Sequence, residues 1–282
     1  MRFTKTQALG DDFIILESLE DELDISTSSI SKLCTRHFGI GANGLIIVRE
    51  SDRAEYYMDY FNPNGERAEM CGDGLRCFVL YLFQRGLVKT NEFDVETPSG
   101  RKSVGIKKSG RGKKIWSNMG APILDPEEIP IAAPGDPLRQ IIEVKDKKFT
   151  GRCISVGNPH CVIEVEGLEN FPVQTYGPLI ENLSLFPAKA NVEFVSVENT
   201  HEIHMRTWER DGHGEPLSCG SGSSAAVAAL TKLGITDSGV IVHQRGGDLR
   251  IDIEEDESII MDGPAEIVFT GEIDQSFFRG ST

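Results

Sequence analysis

Residues 71–86 read CGDGLRCFVLYLFQRG, and residues 219–234 read CGSGSSAAVAALTKLG. Each stretch opens on a cysteine, carries glycine one and three places later, runs apolar, and closes on a glycine fifteen residues after the cysteine. Glycine just past an apolar run is the common C′ residue of a helix. The spacing therefore predicts two helices, from about Gly74 to Gly86 and from about Ser223 to Gly234. Both are apolar on nearly every side, so each must be wrapped by other elements, and the neighbouring sequence offers strands.

Working outward, the two stretches are the centre of a repeat. Gly10-Asp11-Asp12-Phe13 before IILE is matched by Gly157-Asn158-Pro159-His160 before CVIEV. Ala42-Asn43 before GLIIV is matched by Ala190-Asn191 before VEFVSV. YYMDYFN and EIHMRTWE align on Met58 and Met205, and Ser99-Gly100 aligns with Gly246-Gly247. Every pair lies 147 or 148 residues apart and in the same order. The remaining segments are short, rich in β-branched and aromatic residues, and bounded by Gly, Asn or Pro, so they read as strands. A weaker helix is predicted over about 27–36, with Ile30, Leu33 and Cys34 on one face. The proline-rich stretch from about 118 to 140 reads as the connector between halves.

Composition limits the function. The chain has 282 residues, 39% of them hydrophobic, enough for one large domain or two small ones. Its net charge of −15 repels phosphate backbones and anionic lipid, so neither nucleic acid nor a membrane surface is an expected partner. No apolar run reaches the length of a membrane span, and the N-terminal residues lack the apolar core of a secretion signal. Six cysteines in a chain this long fit no disulfide framework, so a reducing cytoplasm is expected. There each thiol serves packing or chemistry, and Cys34, Cys77, Cys153 and Cys161 read as packing.

Cys71 and Cys219 read as chemistry. A helix N-terminus offers unpaired N–H groups and a partial positive charge, which bind a carboxylate and lower a thiol pKa. The adjacent glycines let a ligand approach the backbone. Two such sites related by a pseudo-dyad would place one sulfur on each face of a substrate α-carbon. A thiolate would then remove the proton from one face while a thiol delivers one to the other. The helix ends would stabilise the charge that develops on the carboxylate.

The segments GIGANGLIIV, NPNGERAEMCGDGLRCF, VGNPHCVIEV, NVEFV and WER…GEPLSCGSGSSAAVAA resemble diaminopimelate epimerases, in order and over nearly the whole chain. The resemblance implies an α/β (α+β) fold of two pseudo-symmetric domains, each a β-barrel-like sheet around a central buried helix. It places residues 1–120 plus 263–282 in the half carrying Cys71 and residues 121–262 in the half carrying Cys219, the last strand returning to the first half. It further implies a cytoplasmic homodimer acting on a small amino-acid substrate in lysine and peptidoglycan-precursor biosynthesis, with no pyridoxal phosphate and no metal. Cys71 and Cys219 match the paired acid and base. Gly72, Asp73, Gly220 and Ser221 match the donors to the reacting carboxylate, and Glu209 and His160 match groups near the reacting amine. Asn62, Asn158, Asn191 and Arg210 match the set that holds the far amino-carboxylate, where a guanidinium suits the carboxylate and carbonyl oxygens suit the ammonium.

Three departures stand out. Asp11 and Asp73 each replace an asparagine of the usual pattern, adding carboxylates near the expected site, and that of Asp73 is expected to raise the Cys71 pKa. The segment between Arg210 and Cys219 is one residue longer and brings in His213. Two other readings stay open: a cofactor-independent racemase of glutamate, histidine or proline on the same scaffold, and a redox-sensing amino-acid-binding protein. Gly39-Ile-Gly41-Ala-Asn-Gly44 satisfies a dinucleotide fingerprint, but its helix and strand come in the wrong order. Cys153, His160 and Cys161 lack the spacing and the fourth ligand of a zinc site.

Overall fold

The computed structural model describes residues 1–19, 23–68, 70–109, 112–210 and 214–278. The chain divides into two units, Met1–Ser117 with Gly263–Thr282, and Asn118–Asp262. Along the first run β1 (Arg2–Ala8), β2 (Asp11–Ser18), α1 (Thr27–Cys34), β3 (Gly44–Arg49) and β4 (Tyr56–Phe61). After them come α2 (Gly72–Gln84), β5 (Glu92–Thr97), β6 (Gly100–Ser109) and β7 (Gly112–Gly120). The second continues with β8 (Gln140–Val144), β9 (Lys147–Ser155), β10 (Pro159–Glu164), α3 (Val173–Glu181) and β11 (Asn191–Asn199). It is completed by β12 (Glu202–Trp208), α4 (Gly220–Lys232), β13 (Gly239–Gln244), β14 (Gly247–Ile253) and β15 (Ile259–Gly263). The last strand, β16 (Glu266–Glu272), belongs to the first unit.

The repeat seen in the sequence is a repeat of topology. The first unit orders its strands β16-β1-β2-β3-β4-β5-β6-β7 and the second β8-β9-β10-β11-β12-β13-β14-β15. In both, the second and third strands pair antiparallel, the third and fourth parallel, the fourth and fifth antiparallel, and the fifth and sixth parallel. A parallel pair needs a crossover, and each crossover is a helix: α1 and α3 follow the third strands, α2 and α4 the fifth. In the first unit β16 fills the place that β8 fills in the second, which is why the chain's end returns to its beginning.

Strands covered on both faces read as continuous apolar runs. In β2, Phe13 and Ile15 pack on the α2 side, while Ile14 and Leu16 pack with Ile30, Leu33 and Cys34 of α1. In β10, Cys161 and Ile163 pack likewise with Val173, Tyr176 and Ile180 of α3. α2 buries Leu75, Phe78, Val79, Leu80 and Leu82, each worth about 1.5–3 kcal/mol of transfer free energy. α4 fills its unit with Ala225, Ala226, Val227, Ala228, Ala229 and Leu230. Its buried Ser223 and Ser224 donate to the carbonyls of Cys219 and Gly220, at 2.8 and 3.0 Å, so their burial leaves no hydroxyl unpaired.

Both helices begin earlier than the spacing predicts, because the glycines after each cysteine already form the first turn and the cysteine itself is the N-cap. They end as predicted. Gly86 and Gly234 both have φ of 70°. Leu87 N–H donates to Leu82 O and Ile235 N–H to Leu230 O, each at 3.0 Å, the six-to-one bond of a Schellman motif. α3 has no counterpart among the predicted helices. It is nine residues long with Pro178 inside, so propensity hides it, and its packing on β11 and β12 creates it.

Candidate active site

The two cysteines have almost the same backbone. Cys71 has φ −141° and ψ 113°, and Cys219 has φ −144° and ψ 109°. Each sulfur accepts from the N–H three residues on, Gly74 at 3.3 Å and Gly222 at 3.4 Å. A thiol sulfur thus stands where serine or aspartate usually caps a helix, inside the positive end of the helix dipole. Gly72 and Gly220 are the first helical residues, so their N–H groups belong to the unpaired set of that first turn.

Around Cys71 the first unit gathers carboxylates. Asp11, at the start of β2, brings Oδ2 to 3.8 Å from the Cys71 sulfur, while its Oδ1 accepts from Asn43 Nδ2 at 2.7 Å. Asp12 turns the other way, onto Lys5 at 2.6 Å and Arg36 at 2.5 Å. Burial works against the Asp12 carboxylate, but the hydrogen bonds from Arg36 and Lys5 outweigh it and hold its pKa below the usual range. Asp73 is buried and pairs at 2.6 Å with the fully buried Arg76, whose Nε donates to Pro264 O at 3.3 Å. The Asp73 carboxylate thus faces a guanidinium in the same helix. Asn62 opens a turn: its N–H donates to Glu66 O and its carbonyl accepts from Gly65.

The second unit surrounds Cys219 differently. Ser221 Oγ lies 3.6 Å from the sulfur, and the Cys219 N–H donates to Gln244 Oε1 at 2.7 Å. His160 is fully buried, with Nδ1 2.8 Å from Glu193 Oε1 and Nε2 2.9 Å from Asn158 Oδ1. A Cβ placed on Gly222 would lie 2.7 Å from Glu193 Oε1 and 3.2 Å from the Cys219 sulfur, so carboxylate and sulfur flank one point over the helix. Only glycine fits there. Asn191 Oδ1 accepts from the Arg210 N–H at 3.0 Å, and Arg210 Nη1 donates to Ala188 O at 3.1 Å. Glu209 bridges to Gly214, its N–H donating at 2.7 Å. Residues 211–213, His213 among them, lie outside the described residues.

The other cysteines are packing groups. Burial pushes the Cys34 thiol up to about 12, and burial also raises Cys77 and Cys161, so none of these three supplies a thiolate at neutral pH. Among the residues of these networks that the sequence reading does not single out are Asn43 and Glu193, beside Lys5, Arg36, Arg76 and Gln244. Asn43 was visible only as a turn landmark. Glu193 carried a signal: it is a lone carboxylate inside the apolar strand run NVEFV, where an unpartnered charge would be costly.

The family model for diaminopimelate epimerase matches residues 3–124 and 152–268. The chain belongs to the diaminopimelate epimerase family. A diaminopimelate epimerase of Leptospira biflexa is 40% identical over 278 residues, covering 97% of this chain and 99% of that protein. Those of Moorella thermoacetica and Pelotomaculum thermopropionicum are 42% and 43% identical, each over 96% of this chain and 99% and 98% of their own lengths. The fold is shared by proteins far apart in sequence. A probable proline racemase from Agrobacterium radiobacter, 13% identical, covers 98% of this chain and 94% of its own with a TM-score of 0.74. A hydroxyproline epimerase from Agrobacterium vitis, 12% identical, covers 97% and 90% with a TM-score of 0.72. Among the described residues of this family member, no helix is long and apolar enough to cross a membrane.

Proposed function

We propose that this chain interconverts LL- and meso-diaminopimelate by moving the α-proton between Cys71 and Cys219, within lysine and peptidoglycan-precursor biosynthesis. The observation that carries the reading is the matched pair of N-cap cysteines, alike in backbone angles and in the N–H each sulfur accepts. One sulfur, as thiolate, takes the α-proton; the other, as thiol, gives its proton to the opposite face. The α-carbanion is held by N–H donors at Gly72, Asp73, Gly220 and Ser221 acting on the substrate carboxylate, whose charge grows in the transition state. His160 and Glu209 serve the reacting amine. Asn62, Asn158, Asn191 and Arg210 hold the far amino-carboxylate, so that binding energy there positions the reacting carbon. The halves 1–120 plus 263–282 and 121–262 each contribute one cysteine. The protein works as a homodimer in the cytoplasm.

Incubation with LL-diaminopimelate in D₂O tests this. The expected result is meso product carrying deuterium at the inverted carbon, with glutamate, lysine and proline reacting poorly. Arg210→Met should lower kcat/KM for diaminopimelate by about 2–4 kcal/mol in transition-state terms, with lysine at that position a poor substitute. Faster exchange on glutamate or proline than on diaminopimelate would transfer the function to a short-substrate racemase. Absence of all α-exchange would leave a binding protein.

A further inference from the structure

The two cysteines share a backbone but not a charge environment. At Cys71 the position next to the sulfur holds Asp11, with Oδ2 at 3.8 Å. That carboxylate is fixed from behind: Asn43 Nδ2 donates to its Oδ1 at 2.7 Å, and Arg36 Nη2 donates to Asn43 Oδ1 at 2.9 Å. A hydrogen-bonded chain therefore runs from the Arg36 guanidinium through an amide to a carboxylate aimed at the thiol. At Cys219 the corresponding residue is the neutral Asn158, and its Oδ1 is turned to His160 instead. The first-turn side chain beside the Cys219 sulfur is the hydroxyl of Ser221.

Two other carboxylates of the first unit have cation partners. Asp73 of α2 is paired with Arg76, and Asp12 beside β2 is paired with Lys5 and Arg36. Asp11 holds its Oδ2 3.8 Å from the Cys71 sulfur, within reach of the S–H. A thiolate there meets a like charge, whereas a thiol donates S–H to Oδ2; both effects favour the protonated form. The opposing helix dipole amounts to about half a charge spread over the first turn. At Cys219 the Glu193 carboxylate gives Oε1 to His160 and flanks the Gly222 position opposite the sulfur, while the side chain in contact with the sulfur is the Ser221 hydroxyl.

We propose that Asp11 is the positioning residue that keeps Cys71 protonated in the resting protein, so that Cys71 enters turnover as proton donor and Cys219 as proton acceptor. This rests on the two-cysteine reading above. In the step itself the Cys219 thiolate takes the α-proton, the Cys71 S–H bond breaks toward the opposite face, and Asp11 exchanges no proton. Turnover leaves Cys71 as thiolate and Cys219 as thiol. Water then returns a proton to Cys71, which the Asp11 carboxylate favours, and takes one from Cys219, while the reverse reaction starts from the form before that exchange.

Alkylation by iodoacetamide without substrate, followed across a pH series by mass spectrometry of the two cysteine peptides, tests the proposal. In the native protein the midpoint for Cys71 should lie above that for Cys219. Asp11→Asn keeps the shape and removes the charge: it should lower the Cys71 midpoint by about one unit, an approximately ten-fold faster alkylation at neutral pH, and leave Cys219 in place. Asp11→Ala should act in the same direction, since the effect is one of charge. Asn43→Ala keeps the carboxylate, so the Cys71 midpoint should stay high. An Asp11→Asn variant whose Cys71 midpoint does not move, or whose two midpoints move together, overturns the assignment. Failure of the epimerase reading would show separately, as no α-deuteration of diaminopimelate by a protein whose alkylation order still follows Asp11.

Discussion

Phe13 and Ile46 occupy in the first unit the strand positions that His160 and Glu193 occupy in the second. The register fixes the equivalence: Phe13 pairs with Gly44 where His160 pairs with Asn191, two residues before Ile46 and Glu193. The glycine of each helix confirms it, since a Cβ on Gly74 would meet Ile46 Cδ1 and one on Gly222 would meet Glu193 Oε1. Behind one cysteine the fold thus places a phenyl ring and an aliphatic chain, behind the other a buried imidazole and carboxylate. In front the asymmetry reverses, with Asp11 at Cys71 and Asn158 turned away at Cys219. One backbone plan tolerates either filling because strand pairing and helix caps, not side-chain identity, set it. What the duplicated plan conserves is the sulfur at the helix start; what it lets diverge is the charge around that sulfur.

The largest expected effect tests whether both halves carry chemistry. Cys71→Ala and Cys219→Ala should each reduce inversion of diaminopimelate on the order of 10³-fold or more, about 4 kcal/mol, because inversion needs an acid and a base on opposite faces. The product assay is chirality of the α-carbon by NMR or chiral chromatography. Near-native inversion by either variant would reduce the comparison to one working cysteine and one relic.

The buried pair of the second unit comes next. Glu193→Leu alone strands His160 without its carboxylate and should cost about 3–5 kcal/mol of stability. Grafting the first unit's pair, His160→Phe with Glu193→Ile, removes both polar partners together and should restore most of that loss. Denaturant unfolding of the four proteins measures the coupling. If the pair serves the reaction, the double variant folds and fails to epimerise. If it epimerises well, the pair is a packing alternative and nothing more.

How much of this was legible beforehand differs by element. The repeat, the two buried helices and their closing glycines could be read because each rests on local rules: spacing, apolar runs and the left-handed C′ position. α3 could not, since Pro178 and a weak cap obscure a helix that packing against Trp208 and Ile180's neighbours creates. Its place was nevertheless implied by the repeat, since it starts 146 and ends 147 residues after α1. Asp11 and Asp73 were visible as added carboxylates, yet their fates diverged for a reason only three dimensions supply. Asp73 faces Arg76 one helical turn on, while Asp11 turns to Cys71 and Asn43 and its neighbour Asp12 pairs with Lys5 and Arg36. Glu193 was readable in principle, as a charge in an apolar run, but its partner His160 lies on a neighbouring strand.

A smaller effect concerns Asp12, which the second unit replaces with Pro159. Its folded pKa is held below the unfolded value of 3.8 by Arg36 and Lys5 against the opposing effect of burial. The contribution is therefore fully present above that value and is lost as pH falls through the depressed folded pKa. Asp12→Asn should destabilise the native protein by on the order of 1–2 kcal/mol near neutral pH. The gap between variant and native stability should close in acid. A gap that persists unchanged at the acid end would assign the effect to packing of the turn.

The smallest effect is the most symmetric. Gly86 and Gly234 share φ of 70°, the same pair of capping bonds, and open space where a Cβ would sit. Alanine at either position meets no neighbouring atom, so the whole penalty is the left-handed backbone, about 1 kcal/mol. Steric context being equal, Gly86→Ala and Gly234→Ala should cost the same within a few tenths of a kcal/mol, although α2 is packed with leucine and aromatic side chains and α4 with alanine. Urea unfolding monitored by far-UV circular dichroism measures both. If the chain unfolds in one transition, the two variants should superimpose; if the units unfold separately, each should shift only its own transition, by the same amount. Unequal costs would mean that the cores behind the two caps reach as far as the helix ends. The likeness of the halves would then stop at their backbones.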